Sequence, residues 1–312
     1  MNFDERKLPA ASANMAALNC IDLSDSDIQK SVSLLRQACL DSGFFYVVNH
    51  GIRPEFMDEV FSQSKRFFSL LLDEKMKLLR NEKNRGYTPL LDEHLDPVNQ
   101  IHGDYKEGYY IGVEVPEDDP QAEKPFHGPN LWPTADILPG WRETMERYHR
   151  EALEVARAVA RIIALALDLD GNFFDQSEML GDPIAILRLL HYEGKISEPE
   201  RGIYGAGAHS DFGLLTLLAT DDVIGLQICK GKHVEPQIWE YVSPVKGSTL
   251  HRVLVSGQER YSIAFFVLPS FNCVVKCLPT CQSEDNPPKF PPITCGAYLV
   301  QRYEDTHADL SS

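Results

Sequence analysis

The sequence has no apolar run of the roughly 20 residues that a transmembrane helix needs. Its first residues, Met1 to Lys7, also lack the apolar segment of a secretory signal peptide. Basic residues are in deficit: 30 Lys and Arg stand against 46 Asp and Glu, a formal net charge of −16. This balance argues against a broad nucleic-acid-binding surface. We therefore expect a cytoplasmic protein, with the nucleus as a second compartment, and neither a membrane nor a nucleic-acid partner.

The chain contains only seven cysteines, an odd number. In a chain without a secretion signal this composition predicts reduced thiols. Cys273, Cys277 and Cys281 recur every four residues, a spacing that raises the possibility of zinc binding. No fourth ligand has the spacing of a zinc-ribbon pair, and Pro279 interrupts the segment. We interpret the three as free thiols, with metal binding as the alternative.

Changes in composition and periodicity divide the chain into three parts. Residues 1–16 are polar and Ala-rich, which predicts a mobile N-terminal lead-in. Residues 17–140 form an N-terminal region of short elements, and residues 141–312 form a second region. The second region opens with a long helix, from Trp141 to about Leu169, that carries one apolar stripe. From Ala185 onward the period approaches two in short runs separated by Gly, Pro and Asp, which is typical of a β-sandwich or barrel.

His209 and Asp211 are candidate metal ligands. In a β-strand, side chains two residues apart point to the same face. A second imidazole from a neighbouring strand, His251, would complete two histidines and one carboxylate on one face of a metal. The open opposite face suits non-haem Fe(II) oxygenases. The His-x-Asp spacing is also common by chance, and a histidine in an apolar run is more often a packed core residue than a ligand.

Arg260 and Ser262 form a second candidate site. They also share one strand face. A guanidinium group can bind a carboxylate through two parallel hydrogen bonds. The pair therefore indicates a carboxylate-binding site, which follows the metal candidates closely in the sequence.

Six short motifs occur in an order that is characteristic of one known family. They are Gly43-Phe44-Phe45-Tyr46-Val47-Val48-Asn49-His50-Gly51-Ile52, Arg85-Gly86-Tyr87, Asp104-Tyr105-Lys106-Glu107, His209-x-Asp211, His251-Arg252-Val253 and Arg260-x-Ser262. With these motifs the sequence, from about Ile21 to Tyr303, resembles the plant-type 2-oxoglutarate- and Fe(II)-dependent dioxygenases, the isopenicillin N synthase-like group.

The resemblance implies an α+β fold with a double-stranded β-helix (jelly roll) core and flanking helices. It implies that residues 141–312 contain the Fe(II)/2-oxoglutarate domain. It further implies that the chain oxidises a small organic molecule, with succinate and CO2 as products and ascorbate as reductant. The outcome would be hydroxylation, desaturation or ring closure. The implied iron ligands are His209, Asp211 and His251, and the implied co-substrate residues are Arg260, Ser262 and Tyr192.

The family's Arg-x-Asn-x-Tyr strand corresponds to Arg188-Leu189-Leu190-His191-Tyr192 in this sequence. Leu190 stands where the family usually has Asn, so one hydrogen bond to the co-substrate is expected to be lost. His191 is a candidate for an additional metal ligand. However, His191 and Tyr192 are neighbours on one strand, so their side chains point to opposite faces. We therefore predict that His191 faces outward.

A larger departure lies between Gly247 and Ser248. About twenty residues of the family, including a strand, are absent there. Loss of an interior strand leaves its neighbours with unpaired backbone groups, so we expect an incomplete jelly roll. A register slip by one residue would turn His251 away from the metal. Two alternatives to an active oxygenase follow: a catalytically impaired variant, and a zinc-binding jelly roll without redox chemistry. The sequence leaves the prime substrate and the oligomeric state undetermined.

Overall fold

The computed structural model describes residues 15–230, 236–243 and 251–306. None of the described helices is both long and apolar enough to cross a membrane. The helices are α1 (Ile28–Asp41), α2 (Pro54–Phe68), α3 (Leu72–Met76), α4 (Trp141–Ala166) and α5 (Cys295–Thr306). The strands are β1 (Asn19–Asp22), β2 (Phe45–Val48), β3 (Gly86–Thr88), β4 (Glu107–Ile111), β5 (Ile184–Tyr192), β6 (Ala206–His209), β7 (Leu215–Thr220), β8 (Leu226–Lys230), β9 (Ile238–Tyr241), β10 (His251–Val253), β11 (Arg260–Leu268), β12 (Val274–Val275) and β13 (Ile293–Thr294).

Two antiparallel sheets form the core. One has five strands in the order β3-β4-β5-β11-β7, and the other has four in the order β6-β10-β8-β9. Apolar side chains from both sheets pack against each other, so the sheets face one another as in a β-sandwich. With helices on the outside, this is the α+β jelly-roll architecture expected from the resemblance, and that prediction is confirmed. The side chains that join the sheets are Leu190, Tyr192, Ala206, Leu226, Ile228 and Val253.

Helix α4 covers the outer face of the five-stranded sheet. Its apolar stripe packs against Leu187, Ile263 and Phe265 of the central strands. Burial of such a stripe supplies most of the stability of a helix in a folded protein. The predicted long support helix is therefore confirmed, although it ends at Ala166 rather than near Leu169. The stripe residues predicted from the sequence are all buried: Tyr148, Ala152, Val155, Val159, Ile162 and Ala166.

Strand β7 lies at the edge of the five-stranded sheet. One side of it pairs with β11 over six positions in unbroken register, from Leu215–Val267 to Thr220–Ser262. No described strand pairs with its other side. Its leucines are half-buried, and the strand contains no charged residue. The predicted gap between Gly247 and Ser248 lies outside the described residues, as does nearly all of the predicted lead-in, residues 1–16.

Candidate active site

The structure brings His209, Asp211 and His251 together. β6 ends at His209, β10 begins at His251, and these two residues are paired across the sheet. The Oδ1 atom of Asp211 lies 3.8 Å from His209 Nε2 and 4.0 Å from His251 Nε2. One potential ligand atom from each residue lies within 4.8 Å of the other two. Within the described ranges no other group of at least three histidine, cysteine or acidic side chains has this geometry.

The imidazole of His209 is prepared to act as a metal ligand through Nε2. Its Nδ1 lies 2.8 Å from the carbonyl oxygen of Gly207, which fixes the proton on Nδ1 and leaves the Nε2 lone pair free. Burial, together with the neighbouring His251, holds the pKa of His209 well below its usual range. The ring is therefore neutral at physiological pH, as metal ligation requires.

A cavity lies between the two sheets, next to these three side chains. Arg260 lines it from β11 and is only 1% exposed. Its Nε donates to the carbonyl of Val223 at 3.2 Å, but its buried Nη1 has no hydrogen-bond partner in the described part of the chain. A buried guanidinium N–H without a partner is costly, so this atom fits a site for a carboxylate ligand.

The strand register places the other predicted co-substrate residues in the same cavity. Arg260 pairs with Tyr192, and Ser262 pairs with Leu190. All four line the cavity, and the Arg260 guanidinium lies 5.0 Å from the centre of the Tyr192 ring. Leu190 provides only apolar surface where the family usually has an amide. The loss of one hydrogen bond to the co-substrate at this position stays a prediction.

A second cavity adjoins the first and shares His209 and Asp211 with it. Most of its wall is apolar or aromatic. Two charged side chains, Glu93 and Arg188, form an ion pair in that wall. Such a cavity suits an apolar small molecule that carries a polar group. Its apolar and aromatic lining residues are Leu95, Tyr110, Ile186, Phe212, Phe266, Leu268, Leu299 and Tyr303.

His191 faces away from the metal candidates, as predicted, but the prediction that it faces outward into solvent is wrong. It is 6% exposed. Its Nδ1 lies 2.7 Å from Glu107 Oε1 and its Nε2 lies 2.8 Å from Glu259 Oε1. The ring also stacks on Tyr261 and contacts Phe68 of α2. Strand alternation gave the correct face, but α2 covers that face of the sheet.

A buried ionic network beside the site was missed by the sequence analysis. Lys106 lies between two carboxylates, contacting Asp104 and approaching Glu93 Oε2 to 2.9 Å. Glu93 also binds Arg188. Burial alone would lower the pKa of Lys106, but the two carboxylates raise it, so the ammonium stays charged. The only signal in the sequence was the group of charged residues at Asp104–Glu107, within a segment that has no helical or strand period.

The seven cysteines all lie in described residues and are free thiols. Cys273 is buried, and this burial raises the pKa of its thiol. Cys277 and Cys281 lie nearer the surface, and among the described residues the three form no metal-binding group with other potential ligands.

Two family models match the chain. The first, described as "non-haem dioxygenase in morphine synthesis N-terminal", matches residues 18–135. The second, the 2OG-Fe(II) oxygenase superfamily, matches residues 183–269. The second match contains every predicted iron and co-substrate residue. The two matches fall on either side of the predicted boundary at residue 140, and that boundary itself stays a prediction.

Similar proteins are found in plants. The chain is 49% identical to azadirone synthase LFS of Melia azedarach, covering 93% of each protein. It is 48% identical to kihadalactone A synthase LFS of Citrus sinensis, covering 94% of this chain and 93% of that protein. The Melia alignment spans 311 positions, and 93% of 312 residues is about 290. About 21 aligned positions of the relative therefore have no counterpart here, a number that agrees with the size of the predicted gap.

A solved structure with the same fold contains the co-substrate. It is the crystal structure of a full-length Neurospora crassa protein in complex with alpha-KG, and it superposes with a TM-score of 0.77 at 29% identity. The superposition covers 97% of this chain and 98% of that chain. The architecture is thus shared over almost the full length of both proteins.

Proposed function

Because the chain belongs to the 2-oxoglutarate- and Fe(II)-dependent oxygenase superfamily, we propose that His209, Asp211 and His251 hold its iron. The observation that carries this proposal is the convergence of three ligand atoms within 4.8 Å. Two imidazoles and one carboxylate are the donor set of non-haem Fe(II) oxygenases. When bound there, Fe(II) supplies the reaction with dioxygen that couples decarboxylation of 2-oxoglutarate to oxidation of the substrate.

The cavity between the sheets is the proposed binding site for 2-oxoglutarate. Arg260 binds the distal carboxylate through its guanidinium, with Ser262 as a further donor and Tyr192 beside the ligand. The buried, unpartnered Nη1 of Arg260 supports this assignment. Leu190 and Leu218 give this cavity apolar wall on two of its strands.

The adjoining cavity is the proposed site for the organic substrate. Its apolar and aromatic wall favours a largely apolar small molecule, and the Glu93–Arg188 pair provides one polar contact region. The relatives named azadirone synthase and kihadalactone A synthase support a substrate from a similar class of plant compounds. We also propose ascorbate as reductant and a cytoplasmic location, with the nucleus as a second compartment. No nucleic-acid partner is proposed for a chain with a net charge of −16.

Neither alternative function gains support from the comparisons. The similar proteins are named as enzymes of 2-oxoglutarate and iron chemistry or as synthases. A zinc-binding jelly roll would not need the unpartnered guanidinium of Arg260. The impaired variant depends on the absent segment after Gly247, so it is tested by activity.

Turnover of 2-oxoglutarate tests the proposal without a guess about the substrate. We expect the purified chain, supplied with Fe(II) and ascorbate, to convert 2-oxoglutarate slowly to succinate, and to stop when Fe(II) is replaced by Zn(II). Succinate is measured against a metal-free sample. A folded, Fe(II)-loaded chain that forms no succinate would favour the impaired variant. The missing segment can then be supplied by inserting the corresponding residues of the Melia relative after Gly247. Recovery of succinate formation would assign the defect to the gap. Tight Zn(II) retention without turnover in either metal would favour the zinc-binding alternative.

A further inference from the structure

Asp104 contacts the strand that carries His209. It is fully buried, at 0% exposure. Its Oδ1 accepts hydrogen bonds from the backbone N–H of Gly207 at 2.9 Å and from Gln100 Nε2 at 2.8 Å. Its Oδ2 contacts the ammonium group of Lys106. The carboxylate is thus held on one side by a cation and directed on the other at the backbone of β6.

Gly207 connects Asp104 to the metal candidate His209. Its N–H donates to Asp104, and its carbonyl oxygen lies 2.8 Å from His209 Nδ1. A Cβ at this position would approach Gln100 Oε1 to 2.2 Å. A larger residue at position 207 would therefore require the Gln100 side chain to move away from Asp104. Together these contacts place the carbonyl that sets the tautomer and orientation of the His209 ring.

We propose that Asp104 is a positioning residue for the metal site: by accepting from the N–H of Gly207 it places the carbonyl that orients His209. This inference rests on the proposed iron site. The position of the carboxylate oxygen matters in this role, whereas its charge is secondary, since Lys106 keeps Glu93 as a second carboxylate partner at 2.9 Å.

Two variants separate position from charge. Asp104→Asn keeps an oxygen acceptor for the backbone N–H of Gly207 but removes the charge, and it is combined with Lys106→Met because the new amide NH2 would otherwise face the Lys106 ammonium. Asp104→Glu keeps the charge but moves the oxygen by one methylene. We expect Asp104→Glu to weaken Co(II) binding about tenfold or more, the range for partners of metal-ligating histidines, and the double variant Asp104→Asn/Lys106→Met to stay within about threefold of the wild type. Co(II) dissociation constants are measured by titration of the visible absorption bands, with the unfolding temperature of each metal-free variant recorded alongside.

Glu114→Asp is the matched control, because Glu114 also accepts a backbone N–H, that of Asn130 at 3.3 Å, away from both cavities. It is expected to leave Co(II) affinity unchanged. The role of Asp104 is overturned if the double variant Asp104→Asn/Lys106→Met loses tenfold in Co(II) affinity, or if a folded Asp104→Glu binds Co(II) like the wild type. Should Asp104→Glu fail to fold, the double variant alone decides. A wild-type chain that binds no Co(II) would instead overturn the proposed iron site itself.

Discussion

Replacing His209 with alanine is expected to abolish Fe(II)-dependent succinate formation. The substitution removes one of three ligand atoms that lie within 4.8 Å of one another. Loss of a residue that merely orients a metal ligand costs about 10- to 100-fold in metal affinity, so loss of a ligand is expected to cost more than about 100-fold. Asp211 and His251 alone then hold the ion too weakly for turnover. The measurement is succinate formed per enzyme at saturating 2-oxoglutarate, together with a Co(II) titration.

His149→Ala is the control for the loss of a largely buried imidazole. The Nε2 atom of His149 lies 3.1 Å from the carbonyl oxygen of Ala185, on the α4 side of the sheet. This variant is expected to lose stability but to bind Co(II) like the wild type. Equal metal affinity in His209→Ala and the wild type would show that His209 is not a ligand.

Replacing Arg260 with alanine is expected to abolish 2-oxoglutarate binding and to spare metal binding. The guanidinium lies in the cavity between the sheets with Nη1 unpartnered, and removing one member of a buried charge pair costs about 2–5 kcal/mol. A loss of about 30- to 4,000-fold in co-substrate affinity follows. Isothermal titration of 2-oxoglutarate into the Co(II)-loaded chain measures it, and a separate Co(II) titration checks the metal site.

Arg85→Ala controls for the loss of a buried arginine. Arg85 is also 1% exposed, but it donates to the carbonyl of Phe126 outside both cavities. We expect Arg85→Ala to lower the free energy of unfolding and to leave 2-oxoglutarate affinity unchanged. Arg260→Lys should restore little, because an ammonium cannot form the two parallel hydrogen bonds of a guanidinium. Unchanged 2-oxoglutarate affinity in Arg260→Ala would make its assigned role wrong.

Much of the fold follows from local periodicity. Helix α4 could be predicted because its apolar residues repeat at helical spacing over 26 residues. This spacing alone identifies both the helix and its buried face. The two candidate sites could be predicted for a related reason. His209 and Asp211, and Arg260 and Ser262, are spaced by two residues, so a strand fixes their shared face before any tertiary contact is known.

The remaining features depend on contacts that are distant in sequence. Whether His191 meets water is decided by α2, which is 123 residues away in the chain at Phe68. The Glu93–Arg188 ion pair joins residues 95 positions apart, and Glu93 belongs to an irregular segment without a period. Local patterns hold no information on such pairs. The pairing of β10 with β6, which sets the place of His251, is likewise non-local.

The edge of β7 has a consequence for the behaviour of the protein at high ionic strength. The strand has no charge, proline or bulge of the kind that blocks pairing between the sheets of different molecules. Each copy has a formal net charge of −16, and the repulsion between copies opposes such pairing. This repulsion acts over about 30 Å in 0.01 M salt but over only about 3 Å in 1 M salt. We expect light scattering to report association that grows as NaCl is added, and Leu217→Lys to suppress it. Scattering that is independent of salt in the wild type would show that this edge does not recruit other chains.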